Sequence, residues 1–374
     1  MSEGINDIKV KFQTALQHIN EGINNNGEDL VQEIFNKEAK RDELISSIEL
    51  MVLELVGAVA EGTPPSVGHH SFGLRRSRHR FSLVVFALAT VHRLLITGDT
   101  CTRREIYYRD PVFCRSQAHL DAAMNDVCRL LQAPSWQLGV FATSKGLIAG
   151  PATLFLSNGQ SIDCNASAGG VLVPQDIHLL ERVESPAKFV LLLEKDAAFQ
   201  KLLDENVLER LGPCLLVTGK GYPDVCTRVL VRQFWRFLRV PILALVDADP
   251  HGLDIMCVYR FGSKKMSHQR DLTVPAVRWL GVHPSDISRL AMKAQPLSVS
   301  DSNKLRHLAA RPDIANNRPL LDQVSKEVFS NWGPQVQVLI SGGKKAEIEG
   351  MSSFSTCYLT DAYIPTKILN GDIL

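Results

Sequence analysis

Phe189–Asp196 (FVLLLEKD), Cys214–Thr218 (CLLVT) and Ile242–Gly252 (ILALVDADPHG) decide the fold. Each opens with an apolar run of strand length. Each is followed by a segment with helical periodicity, such as Val225, Val229, Leu230, Trp235 and Leu238 after the second. Uninterrupted apolar strands alternating with helices read as a parallel sheet covered on both faces, an α/β arrangement. Glu194 directly follows the first run, and Asp247 and Asp249 directly follow the third. In an open parallel sheet the C-terminal strand ends share one edge, and ligands bind in the crevice there. If the first and third strands are neighbours, three carboxylates converge on that crevice. Like charges so close coexist most cheaply around a cation. An all-oxygen set suits Mg2+ or Mn2+, with water and substrate phosphate completing the shell. Read singly, Asp247-Ala248-Asp249-Pro250-His251-Gly252 is a turn and helix cap. Glu194 in matching register favours the metal reading.

Working outward, 374 residues are enough for two or three domains with ordinary cores. With 41 basic and 40 acidic side chains, global charge neither favours nor excludes a nucleic-acid partner, so local distribution decides. The eight cysteines form no CxxC pair and no Cys/His zinc pattern. With no signal peptide and no apolar run that spans a bilayer, they are expected to be thiols of an intracellular protein without membrane contact. The eleven histidines show no HExxH spacing and read as bystanders.

The first 40 residues are polar, with weak periodicity in Ile8, Val10, Phe12, Leu16 and Ile19. Arg41–Ala60 is a better helix: Ile45, Ile48, Val52, Leu55 and Val59 make a seam that packs on its own domain or on a partner. Gly62–Gly73 reads as a linker. Between Gly68 and Arg115 stand nine arginines and no lysines against three acids, a local excess of six positive charges that includes Arg75 and Arg76. A charge run is often only a solvated face. Its surroundings favour DNA. Phe81–Ile96 has an apolar face, Thr100 or Thr102 is positioned to cap a short helix through Tyr108, and a third amphipathic helix carries Leu120, Met124, Val127 and Leu131. Asn158-Gly159 then sits between apolar runs, a hairpin signal. Three helices and a hairpin predict a winged helix, a DNA-docking form of helix-turn-helix. The last helix is expected to begin near Ala346, after Ser341–Lys345, and Leu272–Asp286 reads as an apolar insert punctuated by turns.

Tyr108 and Arg104 are four residues apart, hence on one helix face. A phenol is a poor nucleophile at neutral pH unless a cation or base assists. Arg104 favours the phenolate and can hold a phosphate by paired hydrogen bonds. Tyr107 competes for the nucleophile's role, since composition does not separate adjacent tyrosines. Together these residues suggest phosphoryl transfer to a tyrosine, with metal held by Glu194, Asp247 and Asp249.

Arg103–Tyr108 (RREIYY), Thr143–Gly150 (TSKGLIAG), Leu193–Asp196 (LEKD), Leu245–Gly252 (LVDADPHG), Trp279-Leu280-Gly281 and Pro284-Ser285-Asp286 stand in an order that closely resembles the topoisomerase VI A-type family. Gly219–Asp224 (GKGYPD), Thr227-Arg228 and His251 are more similar to its eukaryotic branch, the meiotic double-strand-break proteins. The resemblance runs from about Arg75 to the C-terminus. Residues 1–74, outside it, read as an N-terminal helical extension and linker; the resemblance implies a winged-helix domain bearing the nucleophile (75–180) and a Toprim domain with C-terminal helical elaboration (181–374). It makes Tyr108 the nucleophile assisted by Arg104, and Glu194, Asp247 and Asp249 the Mg2+ ligands. Lys145 becomes a DNA-contacting wing residue, and Arg103 joins Arg75 and Arg76 among the expected DNA contacts. It further implies a dimer in which one protomer's tyrosine works with the other's acids, duplex DNA as substrate, and a nuclear site of action. The B-type, ATP-handling partner it implies agrees with the absence of a GxxxxGK[ST] loop here. Arg41–Ala60 is the candidate docking helix. Strand passage with resealing, a Toprim nuclease in which Tyr108 merely packs, and a non-enzymatic DNA-binding relative are the alternatives.

Overall fold

The computed structural model describes residues 2–21, 32–141, 143–262, 272–311 and 323–374. The chain divides into two compact units: a helical one, Asn25–Thr143, and a sheet one formed by Met1–Asn24 with nearly everything from Ser144 onward.

Helix α1 is Ser2–Glu21 and belongs to the sheet unit. The helical unit starts with α2 (Gln32–Ala60) and a small antiparallel ribbon, β1 (Ser66–Val67) and β2 (His70–Ser71). Then come α3 (Arg78–Thr97), β3 (Cys101–Thr102), α4 (Arg103–Arg109), α5 (Pro111–Cys114), α6 (Gln117–Leu130) and β4 (Val140–Phe141), which pairs parallel to β3. The apolar face expected on α3 is the face it buries: Val84, Leu88, Val91 and Leu95 share one core with Leu120, Met124 and Val127 of α6. Each such side chain contributes about 1.5–3 kcal/mol when fully buried. Gly98 ends α3 at φ 72, a conformation only glycine adopts without strain, and its N–H closes on Leu94. On α2, Leu44 and Ile48 are buried, and Arg41 donates to the carbonyls of Leu95 and Ile96 at 2.6 and 2.9 Å. Beyond them Leu50, Val52, Leu53, Val56 and Val59 are exposed. Among the described residues α3 is the one helix long and apolar enough to cross a bilayer, and half of that window is buried inside the protein.

The sheet unit begins, after α1, with β5 (Leu147–Ala149), β6 (Thr153–Leu156), β7 (Ser161–Asp163), β8 (Val171–Leu172) and β9 (Leu180–Glu184). Its parallel strands are β10 (Val190–Leu193), β11 (Leu215–Thr218), β12 (Ile242–Leu245) and β13 (Val277–Gly281). The six-stranded sheet runs β13-β12-β10-β11-β5-β8, with β10 parallel to β11 and β12, β12 parallel to β13, and β5 and β8 antiparallel. Helices α7 (Asp196–Asp204), α8 (Val207–Arg210), α9 (Val225–Leu238) and α10 (Pro250–Phe261) make the crossovers. Every residue of β10, β11 and β12 is buried, which is why these strands are apolar almost throughout and show no alternation. Phe12, Leu16 and Ile19 of α1 join Phe189, Leu191 and Leu193 in one core. The chain leaves β10 toward β11, then returns to β12 on the other side of β10. Strand order thus reverses between β10 and β12, the position where such sheets open a crevice.

Four features depart from the sequence reading. The Asn158-Gly159 hairpin forms as β6–β7, but with β9 in a three-stranded sheet inside the sheet unit. The unit boundary falls at Thr143/Ser144 rather than 180/181, because β5 bonds to β11. Val277–Gly281 is not part of a loose insert but the fourth parallel strand. No helix begins at Ala346. After α11 (Pro284–Arg289), β14 (Gln295–Pro296), α12 (Val299–Ala309) and α13 (Gln323–Gly342), the short β15 (Lys344–Lys345) pairs with β14, a 3-10 turn spans Ile348–Ser353, and α14 is Ile364–Leu369. The backbone at Ala346 exchanges hydrogen bonds with Ala248, so it is engaged in pairing rather than in a helix.

Candidate active site

Two sets of chemistry-bearing residues stand in separate units. In the helical unit, α4 is a short helix with a complete capping box: Glu105 N–H donates to Thr102 Oγ1 at 3.1 Å, and Thr102 N–H to Glu105 Oε2 at 3.0 Å. Fully buried Ile106 anchors it to the core. The adjacent tyrosines separate by burial. Tyr107 packs partly against the core, whereas Tyr108 is 70% exposed. Arg104 is exposed one turn earlier. Arg103 instead turns inward, bonding Asn125 at 3.3 Å and lying 3.5 Å from Asp121. The basic run splits likewise. Arg80 pairs with Asp126 at 2.6 Å and Arg78 donates to the Phe72 carbonyl at 2.8 Å, whereas Arg75 and Arg76 are exposed. Lys145 lies in the sheet unit, its ammonium donating to the Lys220 carbonyl at 3.1 Å and its N–H to Asp224 at 2.9 Å.

The acids occupy the reversal point of the sheet. Leu193 and Leu245 pair across β10 and β12, so Glu194 and Asp247 leave adjacent strand ends. Glu194 Oε2 accepts the Asp247 N–H at 2.8 Å. Glu194 is 7% exposed and Asp247 3%. Burial first, then the Asp247 and Asp249 charges, push the Glu194 carboxyl up to about 8. Burial also raises Asp247. Asp249 caps α10, accepting from His251 and Gly252 N–H at 2.8 and 2.7 Å, so the cap reading of the motif holds alongside its place beside Glu194. A buried carboxylate short of positive charge among other carboxylates is the donor set a hard divalent cation neutralises. Glu194, Asp247 and Asp249 therefore fit Mg2+ or Mn2+ chemically.

Three contributors went unassigned in the sequence. Lys195 Nζ lies 2.8 Å from Asp247 Oδ2. Burial opposes its charge, but Asp247 and Glu349 hold it above the ordinary lysine value. The Ile348 N–H donates to Asp247 Oδ1 at 2.9 Å, from a segment 101 residues downstream that no spacing rule connects to the motif. At Gly252 a Cβ would meet the Asp247 carbonyl at 2.4 Å and Glu194 Oε2 at 3.1 Å, so only glycine lets α10 start this close. A different cluster, His283, Asp286 and Asp372, brings its ligand atoms within 4.8 Å of one another. Its centre is filled by the Lys367 ammonium, 2.9 Å from Asp286 and 2.8 Å from both His283 and Asp372, which makes it an internal ion-pair cluster.

Residues 189–368 match the Toprim-domain model of the topoisomerase 6 A-type/Spo11 proteins, and residues 79–140 the model described as "Type IIB DNA topoisomerase". The chain is 34% identical to the mouse meiotic recombination protein SPO11 over 89% of each chain. It is 39% identical to the Drosophila melanogaster meiotic recombination protein W68, over 87% of this chain and 98% of that one. It is 35% identical to the A-type chain of Arabidopsis thaliana DNA topoisomerase 6, over 77% of this chain and 65% of that one. With a Toprim match over the acids and two meiotic recombination proteins aligned over 89% and 98% of their length, the chain belongs to the topoisomerase 6 A-type/Spo11 family.

Proposed function

We propose that this chain cuts duplex DNA to start meiotic recombination, as a metal-dependent tyrosine transesterase. The observation that carries the reading is the exposure of Tyr108, one turn from exposed Arg104 on a capped helix in the arginine-rich stretch from Gly68 to Arg115, while Tyr107 is turned to the core. The helical unit, with the segment that follows it, is taken as the winged-helix DNA module, and the sheet unit as Toprim.

In the reaction, Tyr108 Oη attacks a backbone phosphorus and forms an O–P bond. The P–O3′ bond breaks, the phenol's proton passes to solvent, and the departing 3′ oxygen is protonated. A 5′-phosphotyrosyl end and a free 3′ hydroxyl result. Arg104 lowers the cost of the phenolate and orients the phosphate. Glu194, Asp247 and Asp249 would hold Mg2+ or Mn2+, which supplies charge neutralisation at the phosphate. Arg75, Arg76, Arg103 and Lys145 are assigned to backbone phosphates, Arg103 and Lys145 after exchanging their present partners. One diester replaces another, so the step needs no ATP at the chemical centre. Two copies act together, the tyrosine of one with the acids of the other, so that opposite strands are cut. A B-type partner supplies ATP hydrolysis and docks on the exposed stripe of α2; with it the complex falls in the ATP-hydrolysing topoisomerase class. The site of action is the nucleus. Identity to an A-type chain of topoisomerase 6 favours strand passage with resealing as the second reading.

Denaturing the protein after incubation with partner, DNA and Mg2+ tests the reading. Wild type and Tyr107→Phe are expected to carry covalently bound DNA, and Tyr108→Phe none. Adducts in Tyr108→Phe would remove Tyr108 from its role. Free 5′ phosphates would favour a Toprim hydrolase.

A further inference from the structure

Lys195 donates to three carboxylates: Asp247 at 2.8 Å, Glu349 at 3.1 Å and Glu347 at 3.2 Å. An ammonium has three hydrogens, so the set is complete. Glu347 and Glu349 are not chance neighbours. The backbone around them is latched to the same motif, with the Ile348 N–H on Asp247 Oδ1 at 2.9 Å and, just before Glu347, Ala346 paired to Ala248. The ammonium thus has one partner inside the acid site and two on its rim, where Glu347 is 61% and Glu349 36% exposed.

We infer that Lys195 is a built-in counter-ion that competes with the divalent cation for Asp247, and that Glu347 and Glu349 are positioning residues that receive the ammonium when the cation binds. This rests on the metal reading of Glu194, Asp247 and Asp249. A cation arriving at Asp247 repels the ammonium. With two rim carboxylates already in hydrogen-bond range, the lysine releases Asp247 and keeps two of its three bonds. Without them it has Asp247 alone and stays.

The test is Mn2+ binding to the full chain, measured by titration calorimetry. Lys195→Met is expected to tighten Mn2+ binding about fivefold, the scale of a partly exposed charge pair. Glu347→Gln with Glu349→Gln is expected to weaken it by roughly the same factor. In the Lys195→Met background that double change is expected to have no effect, because there is no ammonium left to receive. Lys195→Arg, which keeps the charge and the fold, should bind as wild type. Wild-type affinity in Lys195→Met would overturn the inference. So would a rim-acid effect that persists without Lys195, which would make Glu347 and Glu349 direct ligands. Glu194→Gln separates the two levels: if it abolishes binding while Lys195→Met changes nothing, only this inference fails, and if Mn2+ binding ignores Glu194 as well, the metal reading falls with it.

Discussion

At the residue scale, the site works by crowding like charges where water is scarce. Glu194 has an ordinary carboxyl pKa near 4.5 when unfolded and is pushed up to about 8 when folded. The folded state therefore binds this proton more tightly. Its stabilising contribution is complete below about pH 4.5 and is lost as pH rises through 8. Metal-free protein is expected to lose stability over that window, by at most roughly 1.4 kcal/mol per pH unit from this group. Urea unfolding at several pH values checks this; Glu194→Gln should flatten the dependence, and so should Mg2+. Cation binding needs the carboxylate, so affinity should rise with pH across the same window. Gly252→Ala is the sharpest steric probe. A methyl 2.4 Å from the Asp247 carbonyl must displace the motif, costing about 1–3 kcal/mol and removing Mn2+ binding, as melting and titration would show.

At the scale of elements, the proposed nucleophile Tyr108 stands on a short helix whose order depends on its cap. Thr102→Ala removes a bond to the Glu105 N–H and is expected to cost about 1 kcal/mol, with a larger loss of cleavage than of melting temperature. Thr102→Ser should restore both. The stripe on α2 carries a different expectation. Leu53→Glu with Val56→Glu changes exposed residues, so stability should stay within about 0.5 kcal/mol while binding to a B-type partner is lost in a pull-down. These elements were legible because their signals are local: the threonines at 100 and 102 ahead of the Tyr108 helix, the apolar face of α3, and the unbroken runs of β10 and β12. Two others were not. Arg278 interrupts the apolar pattern of β13, and Pro275 and Pro284 bracket it like a loop, so only pairing with β12 makes it a strand. Lys344–Ile348 has no signal of its own, since its conformation comes from bonds to Asp247 and Ala248.

For the whole molecule, strand order puts Glu194 and Asp247 on adjacent strand ends, a property of topology that the sequence states through the apolar runs of β10 and β12. The burial that separates Tyr108 from Tyr107, and the packing of β5 and α1 with the sheet, are tertiary facts without a local code. The proposed reaction joins the two units across a dimer, and that has its own test. Mixing Tyr108→Phe with Glu194→Gln protomers should give nicks, because one of the two sites is then intact and the other doubly defective. Each variant alone should give neither nicks nor breaks. The most direct measurement of the central claim is mass spectrometry of the DNA-bound protein after nuclease and protease digestion. The peptide containing Tyr107 and Tyr108 should carry a nucleotide joined through its 5′ phosphate, with fragmentation placing it on Tyr108. A nucleotide on Tyr107 or on any other residue, or cleaved DNA with no modified peptide, would contradict the account.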